Sequence, residues 1–339
     1  MNAPELHAVA TAMVEKGRGI LAADESSPTI KKRFDSISLE STEEHRRGYR
    51  EMLFTTENLG RDISGVILFD ETLRQSCTDG TPFARYLEAH GMLPGIKVDA
   101  GAKALAGFPG EKITEGLDGL RDRLAEYAGL GAKFAKWRAV IDIADGIPTA
   151  DCIRANAQAL ARYAALCQEG GIVPIVEPEV LMDGAHDLAR CEAVTGEVLS
   201  QVFRELHHHR VLLEGLVLKP NMVISGKKCP TQAGVDEVAE ATVRCLKRYV
   251  PGAVPGVAFL SGGQSDTLAT AHLNAMNAGY SLPWNLTFSY GRALQAPALK
   301  AWGGRSETVA AGQAALGLRA RLNGLATRGE YSPDMEQAA

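Results

Sequence analysis

The sequence predicts a single-domain (β/α)₈ TIM barrel. Two observations carry that expectation. Eight short apolar runs recur along the 339 residues, and longer stretches with helical spacing separate them. No Pro/Ser-rich linker divides the chain, and α/β barrels routinely reach this length as one unit.

The runs, in order, are Gly19–Ala23, Gly65–Phe69, Gly95–Val98, Lys133–Trp137, Gly171–Val176, Leu216–Leu218, Gly256–Leu260 and Leu286–Phe288. Eight is the number a closed parallel barrel requires. Between them, Thr149–Glu169 carries Ala, Leu and Arg at helical spacing and closes on Gly170-Gly171. His186–His209 and Val235–Tyr249 repeat the helical period. This alternation predicts βαβ units and a parallel sheet. The domain is expected over 1–328. Gly329, Ser332, Pro333 and a polar end suggest a short mobile tail over 329–339.

Composition narrows the function. Hydrophobic residues make up 45% and charged residues 23%, and the formal net charge is −5. Such a chain has no global attraction to nucleic acid or anionic lipid, so any phosphate must be met by local cations. No apolar run is long enough for a bilayer, and Met1–Val14 resembles neither a signal nor a transit peptide. A cytoplasmic protein binding neither nucleic acid nor membrane is expected. The six cysteines form no C-x-x-C pair and read as reduced thiols. The eight histidines do not make a ligand set, so no metal is expected; His207 to His209 read as solvated surface, and His186 as a helix-start feature. No nucleotide-binding glycine loop occurs, and no cofactor is expected.

In a barrel of this kind, chemistry gathers where strands end. Nearly every run ends in a polar group: Asp24, Asp70, Lys97 with Asp99, Lys136 with Arg138, Glu177 with Glu179, Lys219, Ser261, and Ser289 with Arg292. Any one of these could simply reach water, but eight ends together converge acids and lysines on one mouth. Residues i and i+2 share a strand face, so Lys136 and Arg138 can point the same way, as can Glu177 and Glu179. Lys219 follows Leu216-Val217-Leu218 and precedes Pro220. The residues leave two readings of it open. A desolvated amine crowded by other lysines can attack a carbonyl, whereas a strand-end lysine can also snorkel to solvent. Ser261-Gly262-Gly263 and Ser289-Tyr290-Gly291-Arg292 follow the last two runs, where barrels commonly bind phosphate.

These segments resemble the class I fructose-1,6-bisphosphate aldolases from about Gly17 to Ser332. The resemblance rests on Gly19–Ser26 (GILAADES), Gly65–Leu73 (GVILFDETL), Gly95–Asp99 (GIKVD) and Phe134–Arg138 (FAKWR). It continues in Gly171–Glu179 (GIVPIVEPE), Leu213–Val223 (LEGLVLKPNMV), Phe259–Ser265 (FLSGGQS) and Phe288–Gln295 (FSYGRALQ). It implies a metal-free lyase of glycolysis and gluconeogenesis acting on sugar phosphates, and a homotetramer.

The resemblance also implies roles by position. Lys219 corresponds to the Schiff-base lysine and Glu177 to the acid/base that dehydrates the carbinolamine. Glu179 is the neighbour that tunes the field, Asp24 the acid/base near C3–C4, and Lys136 the lysine that polarises the intermediate, with Arg138 beside it. Ser261, Gly262, Gly291 and Arg292 match the C1-phosphate cradle. Ser26, Arg33 and Lys97 match positions near the C6-phosphate, with Lys32 nearby. Two departures stand out. Thr29 occupies the place of a second serine in animal members, and the terminal tyrosine of their longer tail has no counterpart, the last tyrosine being Tyr331. Other Schiff-base lyases of this kind act on monophosphates or seven-carbon bisphosphates. Phosphate positions at both ends favour a bisphosphate.

Overall fold

The computed structural model describes residues 2–337. Eight parallel strands close into a barrel. They are β1 (Gly19–Ala23), β2 (Ile63–Leu68), β3 (Leu93–Lys97), β4 (Phe134–Ile141), β5 (Val173–Val180), β6 (Val217–Leu218), β7 (Gly256–Phe259) and β8 (Asn285–Tyr290). Each strand pairs with its neighbours in sequence, and β1 pairs with β8 to complete the ring. No edge strand is left in the barrel, and helices cover its outside.

The helices form where the sequence period predicts them. Ala150–Glu169 is capped by the Thr149 hydroxyl, which accepts from the Cys152 N–H, and Leu188–His208 by the Asp187 carboxylate, which accepts from the Arg190 N–H. Val235–Tyr249 has the bounds the sequence suggests, with the Glu237 carboxylate accepting from the Gly234 N–H.

The largest differences from the sequence reading are at β4 and β5. Both run four residues further than the apolar runs, to Ile141 instead of Trp137 and to Val180 instead of Val176, so Arg138, Glu177 and Glu179 lie inside strands. The two strands stay paired through Arg138↔Glu177 and Val140↔Glu179, which makes the charged residues part of the ladder. A short antiparallel hairpin, Ala102–Ala104 with Lys112–Thr114, was not foreseen. Its first strand is fully exposed, so it carries no apolar alternation to read.

Two apolar zones hold the fold. The larger fills the space between strands and helices. The smaller is the barrel interior: Ile20, Ile67, Phe134, Val173, Ile175, Val217 and Ala258, plugged by Leu6, Ala10 and Met13 of the N-terminal helix Ala3–Met13. The Phe134 ring lies flat against β3. A Cβ on Gly95 would come within 2.2 Å of it, so the close approach requires glycine. With the amino ends of the strands closed by this plug, the cavity opens only toward their carboxyl ends.

The final segment runs back along the molecule. Tyr331 is 7% exposed, and its hydroxyl donates to Glu336 at 3.0 Å. Glu336 in turn meets the buried Arg319 at 2.6 Å. Ala338 and Ala339, the last residues of the expected tail, lie outside the described residues. All six cysteines are free thiols. Among the described residues, no helix is long and apolar enough to cross a membrane.

Candidate active site

The carboxyl ends of the strands frame a cleft of about 560 Å³. Thirteen residues were expected at a site, and all thirteen line it: Asp24, Ser26, Arg33, Lys97, Lys136, Arg138, Glu177, Glu179, Lys219, Ser261, Gly262, Gly291 and Arg292. They come from seven of the eight strands and the loops that follow, which is why only closure of the barrel assembles them.

Lys219 stands at the centre. Its backbone N–H donates to the Val176 carbonyl at 2.8 Å, extending the β5–β6 ladder one residue past β6. That register sets Lys219 beside Glu177, and its Nζ lies 3.2 Å from Glu177 Oε1. Lys219 is 4% exposed, so the snorkelling alternative does not describe it. The second oxygen of Glu177 is 3.6 Å from Lys136 and makes no hydrogen bond, although it is buried. Buried carboxylate oxygens are rarely left so.

Lys136 and Asp24 form the second pair, at 2.6 Å. Burial by itself would raise the Asp24 carboxyl, but Lys136, Lys219 and Lys97 outweigh it and bring it down to about 2. Burial likewise works against the Lys136 ammonium, yet Asp24, Glu177 and Asp99 hold its pKa above the ordinary lysine range. At neutral pH Asp24 is therefore an acceptor, and Lys136 is a fixed positive charge. Arg138 pairs with Glu179 through its Nε. Lys97 is held by Asp99 at 2.6 Å.

The rim is built from loops. Gly262 and Gly263 follow β7 with φ of +53° and +79°, a left-handed pair that brings bare backbone to the cleft wall. Gly291 caps the helix Arg292–Trp302, so that helix starts at the cleft. Ser26 caps the helix Ser27–Asp35, and its hydroxyl lies 3.2 Å from that of Thr29. Arg33 was grouped with Ser26 and Lys97. Its Nη2 is 3.7 Å from the point where a Gly291 side chain would begin, so it borders the Gly291–Arg292 group as well.

Three charged cleft residues escaped the sequence reading: Glu25, Asp183 and Lys227. Glu25 bridges Arg33 at 2.7 Å and the buried Arg50 at 2.6 Å, and accepts from Gln295 at 3.0 Å. The position of Glu25, directly after Asp24 and before a helix cap, was the available signal. Lys227 sits in a Gly-Lys-Lys-Cys stretch shortly after the Lys219 motif, which a search of that loop for cations would have found.

A clustered lysine–carboxylate pair inside a cation-rimmed barrel mouth is what a Schiff-base enzyme for phosphorylated sugars needs, and comparison with known proteins agrees. The family model for fructose-bisphosphate aldolase class-I matches residues 5–339. The chain belongs to the class-I fructose-bisphosphate aldolase family. It is thereby an aldehyde-lyase of glycolysis. A probable fructose-bisphosphate aldolase class 1 from Xanthomonas axonopodis pv. citri is 57% identical over 98% of this chain and 99% of its own length. The muscle-type fructose-bisphosphate aldolase of Lethenteron camtschaticum is 51% identical over 99% of this chain and 93% of its own. Among solved structures, a fructose-bisphosphate aldolase of Plasmodium falciparum, in a complex with TRAP and a small-molecule inhibitor, superposes with a TM-score of 0.96. It is 52% identical and the match covers 97% and 96% of the two chains.

Proposed function

We propose that this chain cleaves fructose 1,6-bisphosphate reversibly, with Lys219 as the nucleophile. The observation that carries the assignment is the buried Lys219–Glu177 contact at 3.2 Å, with the other Glu177 oxygen making no hydrogen bond. The Lys219 amine adds to the C2 carbonyl to give a carbinolamine. Glu177 donates a proton to the departing hydroxyl, water leaves, and a protonated imine remains. Asp24, ionised and anchored by Lys136, accepts the C4 hydroxyl proton as the C3–C4 bond breaks. Glyceraldehyde 3-phosphate departs, and the bonding electrons pass through C3 to the iminium nitrogen as an enamine. A proton returned to C3 and hydrolysis of the imine release dihydroxyacetone phosphate and restore the amine. The iminium is the electron sink, and the Lys136 charge and the Arg138–Glu179 pair shape the field around it.

Ser261, Gly262, Gly291 and Arg292 would hold the C1-phosphate, and Ser26, Lys97 and Arg33 the C6-phosphate. Two sets of phosphate ligands favour a bisphosphate over a monophosphate. Held at both ends, the sugar presents C2 to Lys219. The family's homotetrameric, cytoplasmic state belongs to the same reading, as does the division into a barrel over 1–328 and a tail over 329–339. A relative named cytosolic in Arabidopsis thaliana, 53% identical, supports the location. Borohydride reduction with dihydroxyacetone phosphate, followed by peptide mapping, tests the assignment. The adduct is expected on Lys219, and an adduct on another lysine overturns it.

A further inference from the structure

We propose that Lys227 is a further phosphate ligand, paired with Asp183 and transferred to the C1-phosphate when substrate binds. The inference rests on the reading of the site above and adds a residue to it.

The Lys227 backbone is fixed. The loop after β6 packs against the loop after β5, and three N–H groups tie them together. Gly226 donates to the His186 carbonyl at 2.8 Å, Lys227 to Met182 at 2.7 Å, and Lys228 to Gly184 at 3.0 Å. The contact is close enough that a Cβ on Gly226 would stand 2.3 Å from the Gly184 carbonyl oxygen. The side chain that leaves this fixed point reaches across the mouth toward the loop after β7.

There it meets Arg292. A side chain on Gly263 would begin 2.9 Å from Lys227 Nζ and 3.0 Å from Arg292 Nη2. Two cations thus converge on one glycine, in a loop that lines the same cleft. Like charges this close repel unless an anion lies between them, and a phosphate dianion satisfies both. The convergence also explains why the position must be small, since any side chain at Gly263 would fill the space the anion needs.

The charge of Lys227 is met by Asp183 at 2.7 Å. Both side chains are open to solvent, 44% exposed for Lys227 and 63% for Asp183. Exposed ion pairs of this kind contribute little to stability, so the pair is cheap to break. A phosphate offers greater charge and three acceptor oxygens, so it outcompetes a single solvated carboxylate. Asp183 is then a competitor of the substrate that keeps Lys227 extended over the mouth between turnovers.

A pair that merely joins two loops makes a different forecast from a pair in which one member binds phosphate. In the first case, breaking it from either side has the same effect. In the second, the two sides act with opposite sign. The experiment is calorimetric titration of inorganic phosphate into full-length enzyme, with KM and kcat for fructose 1,6-bisphosphate measured alongside. Lys227→Met is expected to raise the phosphate dissociation constant and the KM about tenfold, the loss of one charge-assisted contact. The effect on kcat should be smaller. Asp183→Asn is expected to lower the phosphate constant about two- to threefold, because it removes the competitor. Lys227→Arg, which restores the charge, should return it to within about threefold of the parent. Equal shifts in the same direction for Lys227→Met and Asp183→Asn would overturn the proposal, as would an unchanged phosphate constant in Lys227→Met. Phosphate titration does not depend on turnover, so these outcomes are separate from borohydride trapping at Lys219, which tests the reaction itself.

Discussion

The two ends of the barrel are built from the same eight strands, yet they obey different rules. At the amino ends, Leu6, Ala10 and Met13 cover an interior of Ile20, Ile67, Phe134, Val173, Ile175 and Val217, with no charge among them. At the carboxyl ends, less than one strand length away, Asp24, Lys136, Glu177 and Lys219 are buried together. The apolar end stabilises the fold by removing surface from water. The charged end gains little from its ion pairs after desolvation, and replacing such groups with apolar ones often leaves a protein as stable or more so. The difference teaches that the lower half holds the barrel closed so that the upper half can keep costly charges in fixed places.

The sharpest way to break this contrast is Lys219→Arg. It keeps the charge but removes a nucleophile, because guanidinium stays protonated. We expect turnover to fall on the order of 10³-fold or more while the melting temperature barely moves, and imine trapping to vanish. Near-normal turnover would locate the chemistry elsewhere. Glu177→Gln comes next. An amide cannot alternate between donor and acceptor, so imine formation with dihydroxyacetone phosphate should slow by roughly 10²- to 10⁴-fold, with binding little changed. Unchanged stopped-flow rates would shift the role to Glu179.

At the opposite end, Met13→Ala should cost about 2–5 kcal/mol of stability, since the side chain is fully buried in the plug. Denaturant unfolding measures this. KM and kcat of the folded fraction should stay at parent values, and a selective loss of kcat would show that the two ends are coupled. Arg292→Ala returns to the mouth. Losing one charge-assisted contact should cost roughly 1.5–3 kcal/mol in kcat/KM, with KM raised and kcat lowered, because the phosphate also positions the carbonyl. Normal cleavage would remove Arg292 from the phosphate group.

The smallest effect is expected at Tyr331. Its hydroxyl is engaged with Glu336, which holds Arg319 at 2.6 Å. Tyr331→Phe keeps the ring in place and should leave cleavage within about tenfold, a barrier change of about 1.4 kcal/mol or less. Collapse of proton exchange at C3 of dihydroxyacetone phosphate, with trapping intact, would make the tail catalytic. Deleting Tyr331–Ala339 is a poorer test, because it also strands the buried Arg319.

Much of this was legible beforehand because each strand announces itself twice, by an apolar run and by the polar residue that ends it. The helix Val235–Tyr249 was readable to the residue, since its buried positions repeat without interruption. The ends of β4 and β5 were not. There the apolar runs stop at Trp137 and Val176, although the i, i+2 spacing already put Arg138 and Glu179 on the face of Lys136 and Glu177; in the barrel all of these are ladder residues, with Arg138 and Glu179 paired. Glu25 was missed for a related reason. Its partners Arg50 and Gln295 lie 25 and 270 residues along the chain, so its place beside Asp24 is the one local sign and the contacts that make it an anchor are all distant.

The sequence by itself determined which chemical groups are present and at which strand ends they occur, because strand periodicity and the motifs around Lys219, Gly262 and Arg292 are properties of consecutive residues. Only the tertiary structure decided which groups meet. Lys219 reaches Glu177 through one backbone hydrogen bond to Val176, Asp24 reaches Lys136 across the barrel, and Lys227 reaches the Gly263–Arg292 corner over two loops clamped together. Those distances depend on barrel closure and register, and electrostatic interactions change steeply with distance inside a protein. The identity of a charge is local, but its partner, and so its protonation and its use, is set by residues far away in the chain.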